Sequence, residues 1–154
     1  MIIKIVLFLT ILLYSIIVSQ SFSYIISLRN VQINMSAGEY ISFRQLTDKN
    51  FQQKFRYILY AALLFNGLLV AICAIQFSAL LFTSSLTAFI ALIADTAIAV
   101  KKNLPVNKII NAWTAEKYPG NWAEYRRVWL FAFSQRQCLN IAGFTSLMAG
   151  AVFS

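Results

Sequence analysis

The stretch FSQRQCLNIAG, residues 133–143, decides how this chain folds, because it lies in a segment that is otherwise apolar from Val128 to Phe153. Within it, Arg136 and Asn140 stand where the flanking sequence predicts contact with lipid. A bilayer-spanning helix needs about 20 mostly apolar residues, and an isolated charge inside the bilayer costs several kcal/mol. If this segment spans a membrane, Arg136 must therefore face the interior of a helical bundle and find a partner there.

The composition of the whole chain supports a membrane location for this segment. Of 154 residues, 60% are hydrophobic and 12% are charged, whereas soluble domains carry about a quarter charged residues. Four segments are long and apolar enough to span a bilayer, at roughly residues 2–28, 57–76, 77–100 and 128–152. The sequence thus predicts an all-α fold, a single integral membrane four-helix bundle over residues 1–154, with a tight turn at residues 75–78.

The first of these segments begins like a secretory signal peptide but has the length of a spanning helix. Ser19 and Ser21 resemble a small-residue cleavage site after an apolar stretch. The apolar character nevertheless continues past Tyr24 to Leu28, which is longer than the apolar region of a signal peptide. We expect the segment to be retained as the first span.

The basic residues predict the orientation of the bundle. Cytoplasmic loops of membrane proteins are enriched in Lys and Arg, and here the two long loops hold Arg29, Arg44, Lys49, Lys54, Arg56, Lys101, Lys102, Lys108, Lys117, Arg126 and Arg127. The opposite side holds Lys4. We therefore expect cytoplasmic long loops and external termini. The net charge of +8 suits contact with anionic membrane lipid and requires no nucleic acid.

Both long loops are predicted to contain short amphipathic helices. Ser36-Ala-Gly-Glu39 is a capping box, which predicts that a helix begins there and either runs unbroken into the second span or bends at the interface. In the second loop, Pro105 predicts that the chain turns, with Asn103 capping a new helix. That helix should lie on the membrane surface through an apolar stripe formed by Val106, Ile109, Ile110 and Trp113.

Polar residues within the four spans should form one layer. From their positions along the helices, they lie roughly 8 to 18 Å from the cytoplasmic interface. Asp95 is the acidic residue within the spans and Arg136 the embedded cation, so we expect an ion pair between them. The side chains that could complete its hydrogen bonds are Gln20, Asn66, Gln137 and Asn140.

This layer has two interpretations. In the first, the pair fixes the register of the helices and the amides join them. In the second, the layer lines a pocket open to the cytoplasm, where Arg136 holds an anionic or carbonyl oxygen and Asp95 accepts a proton. With no histidine and with Cys73 and Cys138 at different depths, the sequence offers no usual metal-ligand set, and we expect neither a metal nor another cofactor. Both cysteines are interpreted as packing residues.

A family resemblance favours the second interpretation. Asn103-Leu-Pro105-Val-Asn107, then Trp113, then Arg126-Arg-Val-Trp129 and finally Arg136 resemble the anthrone oxygenase-like membrane family, also called the domain of unknown function 1772. The resemblance implies a compact four-span protein, found mostly in bacteria and so expected in the inner (plasma) membrane. Its fungal members are implicated in oxidising polyketide anthrones without an evident metal or flavin. By that resemblance, Asp95 would be the base of a cofactor-independent oxygenase and Arg136 the group that holds the oxyanion.

Two functions from different classes follow. In the first, the protein binds, and by resemblance oxidises, a small hydrophobic aromatic or quinone-like molecule between its helices, with Asn103, Asn107 and Trp129 shaping the entrance beside Arg136 and Asp95. In the second, it is a structural or accessory subunit that packs on a larger membrane protein or on copies of itself. An internal cavity at the pair would favour the first. A tight interior with small residues on the outer face would favour the second, and the candidates are Ala88, Ala91, Ala94 and Ala97.

Overall fold

The computed structural model describes residues 2–76 and 79–154, apart from the side chains of Gln52, Gln53 and Gln76. Within these ranges the chain is helical and contains no strand, which confirms the all-α prediction. The turn predicted at residues 75–78 includes residues 77 and 78, which lie outside the described residues. The helices are α1 (Ile2–Ser23), α2 (Arg29–Asn34), α3 (Ala37–Gln76), α4 (Ala79–Ile98), α5 (Leu104–Asn111) and α6 (Trp122–Phe153).

Two π-helical turns join neighbouring helices into longer rods. Tyr24–Leu28 connects α1 to α2, and Ala99–Asn103 connects α4 to α5. In each turn a backbone amide donates to the carbonyl five residues back, from Arg29 to Tyr24 and from Leu104 to Ala99. A π turn carries one extra residue, so it rotates the side chains that follow it around the helix axis.

The chain does not turn away at Pro105, contrary to the sequence prediction. A proline ring clashes with the carbonyl four residues earlier, which here is that of Lys101. Because Lys101 lies inside the π turn, the regular α-helical bonding pattern is already interrupted where the ring needs space. The predicted cap is also wrong, because the Asn103 side chain makes no capping hydrogen bond.

The four long helices α1, α3, α4 and α6 form an up-and-down bundle. They pack in chain order, and α6 returns to contact α1, while the most extensive contact joins α4 and α6. One apolar core fills the body of this bundle around Tyr14, Ile17, Leu69, Leu92 and Leu147. A second core, which contains Tyr24, Tyr40, Ile41, Ile110 and Trp129, lies at the end where α2 and α5 extend the rods.

Within residues 2–76 and 79–154, three helices are long and apolar enough to cross a membrane. They are Ile2–Asn34, Lys54–Ile75 within α3, and Ala79–Asn111. Helix α6 has 32 residues but is not one of the three, since Arg136, Gln137 and Asn140 lower its hydropathy. The membrane character of the chain is thus supported by three candidate spans.

The predicted loops are largely helical extensions that pack on one another. Helix α3 has 40 residues and is about 60 Å long, twice the hydrocarbon thickness of a bilayer. Its start has one half of the predicted capping box, since the Ser36 amide donates to the Glu39 carboxylate over 2.8 Å, while the Ser36 hydroxyl donates to the same carboxylate over 2.7 Å. Helix α5 is amphipathic as predicted, but Val106 and Ile110 are buried in the second core instead of facing lipid.

Candidate functional site

A cavity of about 770 Å³ lies between the helices at the end of the bundle where α2 and α5 extend the rods. This volume is within the range of small-molecule binding sites. Most of its wall is apolar or aromatic and includes Phe43, Phe51, Phe55, Leu59, Val100 and Leu104. Its polar wall includes Gln20, Gln32, Arg44, Asp48, Arg56, Thr96, Asn103, Asn107 and Arg136.

Asp95 and Arg136 form the ion pair expected from the sequence. Arg136 Nε lies 2.7 Å from Asp95 Oδ1, and Arg136 Nη2 lies 3.4 Å from Oδ2. Asn140 adds a third donor, with Nδ2 at 3.2 Å from Oδ1. Asp95 is fully buried, whereas the Arg136 side chain is 13% exposed. The pair therefore presents its guanidinium to the cavity and keeps its carboxylate behind it.

The two asparagines of the Asn-x-Pro-x-Asn element lie on one face of the rod formed by α4 and α5, and both form hydrogen bonds with the start of α6. Asn103 Nδ2 donates to the Trp129 carbonyl over 3.1 Å, and its Oδ1 accepts from Arg136 Nη1 at 3.4 Å. One turn later, Asn107 Oδ1 accepts from the indole Nε1 of Trp129 over 2.8 Å. Both asparagines and Trp129, which the sequence analysis expected at the entrance of a ligand site, line the cavity.

Arg44 and Asp48 belong to the same polar wall, although sequence reasoning assigned neither to it. Arg44 is only 6% exposed, and its Nη2 donates to Asn107 Oδ1 over 3.1 Å. Asn107 Nδ2 in turn donates to Asp48 Oδ1 over 2.8 Å. The burial of Arg44 lowers the pKa of its guanidinium, but an arginine remains charged at any physiological pH.

The sequence signal for these two residues was their spacing. Tyr40, Arg44 and Asp48 follow one another at intervals of four and so share one face of α3. Tyr40 is fully buried, which places the whole face toward the protein.

Two arginines and two aromatic rings form a continuous arginine–aromatic stack along the cavity. The Arg44 Cζ lies 3.8 Å from the Trp129 ring centroid, and the Trp129 and Phe133 rings are stacked with centroids 4.6 Å apart. The Arg136 Cζ lies 5.3 Å from the Phe133 centroid. The stack comprises Arg44, Trp129, Phe133 and Arg136, and such cation–π contacts contribute about 0.5 to 2 kcal/mol each.

The remaining predicted site residues divide between the cavity wall and the packed interior. Gln20 lines the cavity. Asn140 lies behind the pair, and Gln137 donates to the Phe133 carbonyl of its own helix over 3.2 Å. Asn66 is fully buried, and neither atom of its amide has a hydrogen-bond partner within residues 2–76 and 79–154. Asn66, Gln137 and Asn140 therefore do not contact the cavity.

The described part of the chain contains no group of three His, Cys, Asp or Glu side chains that could hold a metal ion. Cys73 is buried and Cys138 is exposed, and both are free thiols.

Comparison with known proteins found no match. No protein-family model matches the chain, and no curated protein or solved structure matches it significantly. The resemblance to the anthrone oxygenase-like family depends on the motifs at residues 103–136 alone. The function has to be inferred from the geometry of the cavity.

Proposed function

We propose that this protein spans the membrane four times and binds a small hydrophobic, aromatic or quinone-like molecule between its helices near the cytoplasmic leaflet. The observation that carries the proposal is the cavity of about 770 Å³, whose wall combines aromatic and aliphatic side chains with Arg136. Ligand sites of this size are usually apolar, with a few polar groups that orient the bound molecule.

The burial of the polar residues of α6 supports its role as the fourth span. Helix α6 packs against α4 and α1, and its Arg136 is neutralised by Asp95. Its exposed side chains include Phe131, Val152 and Phe153, which are 63%, 65% and 76% exposed. A helix with charges inside and large apolar residues outside suits a bilayer although its mean hydropathy is modest.

Different roles are proposed for the two members of the ion pair. Arg136 Nη1 makes only a long contact of 3.4 Å to Asn103, so it has donor capacity for a carbonyl or phenolic oxygen of a ligand. Asp95 is fully buried and both of its oxygens accept from Arg136. Asp95 is thus better suited to hold Arg136 in place than to take a proton from a ligand.

Oxidation of the ligand, which the family resemblance implies, would also require a base that reaches the cavity. Asp48 has a carboxylate in the wall, where Asn107 and Asn111 donate to it over 2.8 Å each. Each of its two oxygens thus already accepts a hydrogen bond from a protein side chain. Binding is therefore the core of the proposal, and turnover is a separate property to be assayed once a ligand is known.

The alternative of a structural or accessory subunit receives less support. A tightly packed interior and an outer face of small residues would have favoured that function. Ala88 and Ala91 are instead buried within the bundle, and Ala97 is exposed while Ala94 is intermediate. These four alanines do not form a continuous outer face.

The test is native mass spectrometry with lipid-extract metabolomics on purified protein. We expect wild type to retain an aromatic or quinone-like compound that Arg136→Gln and Leu59→Trp lose, since the first removes the polar anchor and the second fills the cavity. Leu64→Trp is the matched control for the second, because Leu64 is on the same helix but 61% exposed. Arg127→Gln is the control for the loss of charge.

Two results would count against binding. One is that no compound co-purifies with wild type from any host or lipid extract. The other is that Leu59→Trp and Leu64→Trp retain the same compound equally, which would place it on the outer surface of the helices.

A further inference from the structure

We infer that Arg44 is the binding site for a carboxylate head group, so that the preferred ligand is a hydrophobic molecule with a single carboxylate. This inference deepens the proposed function and rests on it. It assigns the charged end of the ligand to Arg44 and leaves the apolar part against the aromatic wall.

The first support is that the two buried arginines are satisfied to different degrees. Arg136 is paired with Asp95 through two nitrogens. Arg44 is more deeply buried, yet its Nη2 donates to a neutral amide and its Nε has no hydrogen-bond partner in the described ranges. A buried charge is costly unless a counter-charge and hydrogen bonds satisfy it. Arg44 is joined to Asp48 through the Asn107 amide, and its side chain lines the cavity, where an anionic group of a ligand could pair with it directly.

The second support is the charge of the cavity wall. Arg44, Arg56 and Arg136 line it together with Asp48, and Asp95 lies directly behind Arg136. With three cations and two anions, the site has a formal charge of +1. An anionic group of one charge would neutralise it.

The third support is an unsatisfied amide in the same wall. Gln32 lines the cavity and is 3% exposed, and its Oε1 has no partner in the described part of the chain. A half-turn of the amide exchanges its oxygen and nitrogen, so Gln32 can also donate. A carboxylate has two oxygens, so it can accept from the Arg44 guanidinium and from a second donor such as the Gln32 amide.

The apolar end of the ligand has a continuous surface to follow. Phe51, Phe55 and Leu59 line the cavity at helical intervals along α3. Tyr60 and Val100 also line it and are 58% and 55% exposed on the outside of the bundle. The cavity thus reaches the side of the bundle that lipid would contact, which gives an amphiphile a route from the bilayer.

The experiment compares an acid with its uncharged ester. The protein in nanodiscs of zwitterionic lipid is titrated with pyrenebutyric acid at pH 7, with its methyl ester, and with a neutral short-chain quinone, and each Kd is measured. We expect wild type to bind the acid at least tenfold more tightly than the ester. Arg44→Gln should abolish this preference, whereas Arg44→Lys should retain part of it and Arg127→Gln all of it.

The contrary outcomes are distinguishable. Equal affinity of wild type for acid and ester overturns the inference but leaves the proposed function in place. Loss of the preference in Arg136→Gln but not in Arg44→Gln overturns the assignment to Arg44. Failure of all three compounds to bind contradicts both proposals. Since the acid and ester are compared on wild type, the inference stays testable even if Arg44→Gln does not fold.

Discussion

The carboxylate of Asp95 has no solvent exposure, and its removal would leave the Arg136 guanidinium without a counter-charge. We predict that Asp95→Asn lowers the free energy of unfolding by about 3 kcal/mol, because breaking a buried ion pair on one side strands the other charge. The measurement is unfolding in detergent micelles, followed by circular dichroism. Asp48→Asn changes the charge by the same amount and serves as a comparison.

The double variant Asp95→Leu/Arg136→Leu tests whether the pair acts as a unit. Replacing both charges with apolar residues should cost less than the sum of the two single substitutions, because neither charge is left buried alone. Additive losses would indicate that the two side chains stabilise the bundle independently, and the explanation by pairing would have to be abandoned.

Asn66 presents the opposite case, a buried amide with no partner among the described residues. Burial of an unsatisfied amide costs about 1 to 3 kcal/mol. We predict that Asn66→Leu raises thermal stability, whereas Asn140→Leu lowers it because Asn140 donates to Asp95. A clear loss of stability in Asn66→Leu would mean that its amide has a water or ligand partner.

At the scale of residues, the sequence identified the charged side chains that can pair only with each other inside the bundle. It missed a charged side chain that becomes buried only because other helices pack over it. Asp95 and Arg136 were predictable because a lone acid and a lone cation within apolar spans must meet. Arg44 was not, because α5 and the start of α6 cover a face of α3 that the charge count assigned to solvent. The same reasoning wrongly expected Asn66 to join the polar layer.

Glycine makes the close contact between α4 and α6 possible. A Cβ at position 143 would meet the Tyr14 hydroxyl and lie 2.8 Å from Ala91 Cβ, whereas at Gly67 it would lie 3.6 Å from the Phe89 ring. We predict that Gly143→Ala lowers the thermal midpoint and that Gly67→Ala raises it, since alanine favours a helix by about 1 kcal/mol where it fits. Thermal scans of both variants against wild type provide the check, and equal shifts would contradict the close contact.

The start of α3 should respond to pH through Glu39. Its carboxylate accepts from the Ser36 amide and hydroxyl, and these hydrogen bonds hold its pKa below the ordinary value. A carboxyl group with a lowered folded-state pKa stabilises the fold above its ordinary pKa and loses that effect as the pH falls through the folded value. We predict that amide protection at residues 37–41 falls on acidification in wild type.

Glu39→Gln is the control for this titration. A glutamine can still accept from the Ser36 amide but does not titrate, so the local protection should become insensitive to acid. Hydrogen exchange corrected for intrinsic rates gives the measurement. If wild type and variant lose protection in parallel, another group controls the start of the helix.

At the scale of elements, three candidate spans and the helix start after Ser36 were predictable because each depends on residues close in sequence. The π turns were not, because a π turn has no distinctive local pattern and is favoured by the contacts of the residues it rotates, such as Tyr24 against Phe133. Pro105 was interpreted as a break for the same reason. The sequence left open whether the helix that begins at the capping box runs unbroken into the second span or bends at the interface, and α3 is continuous from Ala37 to Gln76.

For the whole molecule, the basic residues and the role of α6 give one topological prediction. Single cysteines at Lys117 and Ser154, in a chain with Cys73→Ser and Cys138→Ser, should be labelled by a membrane-impermeant maleimide from opposite sides. Lys117 should be reached from the cytoplasm and Ser154 from outside, because positive loops stay inside. Labelling of both from one side would show that α6 does not cross the membrane.

The arginine–aromatic stack also gives the molecule an optical signal of its own. The emission of an indole depends on nearby charges, and Trp129 has a guanidinium against its face and an amide oxygen on its nitrogen. Occupancy of the cavity would change both the field at the ring and its contact with water. With Trp113 and Trp122 replaced by phenylalanine, the intrinsic fluorescence of Trp129 would report filling of the cavity in real time, without any attached dye.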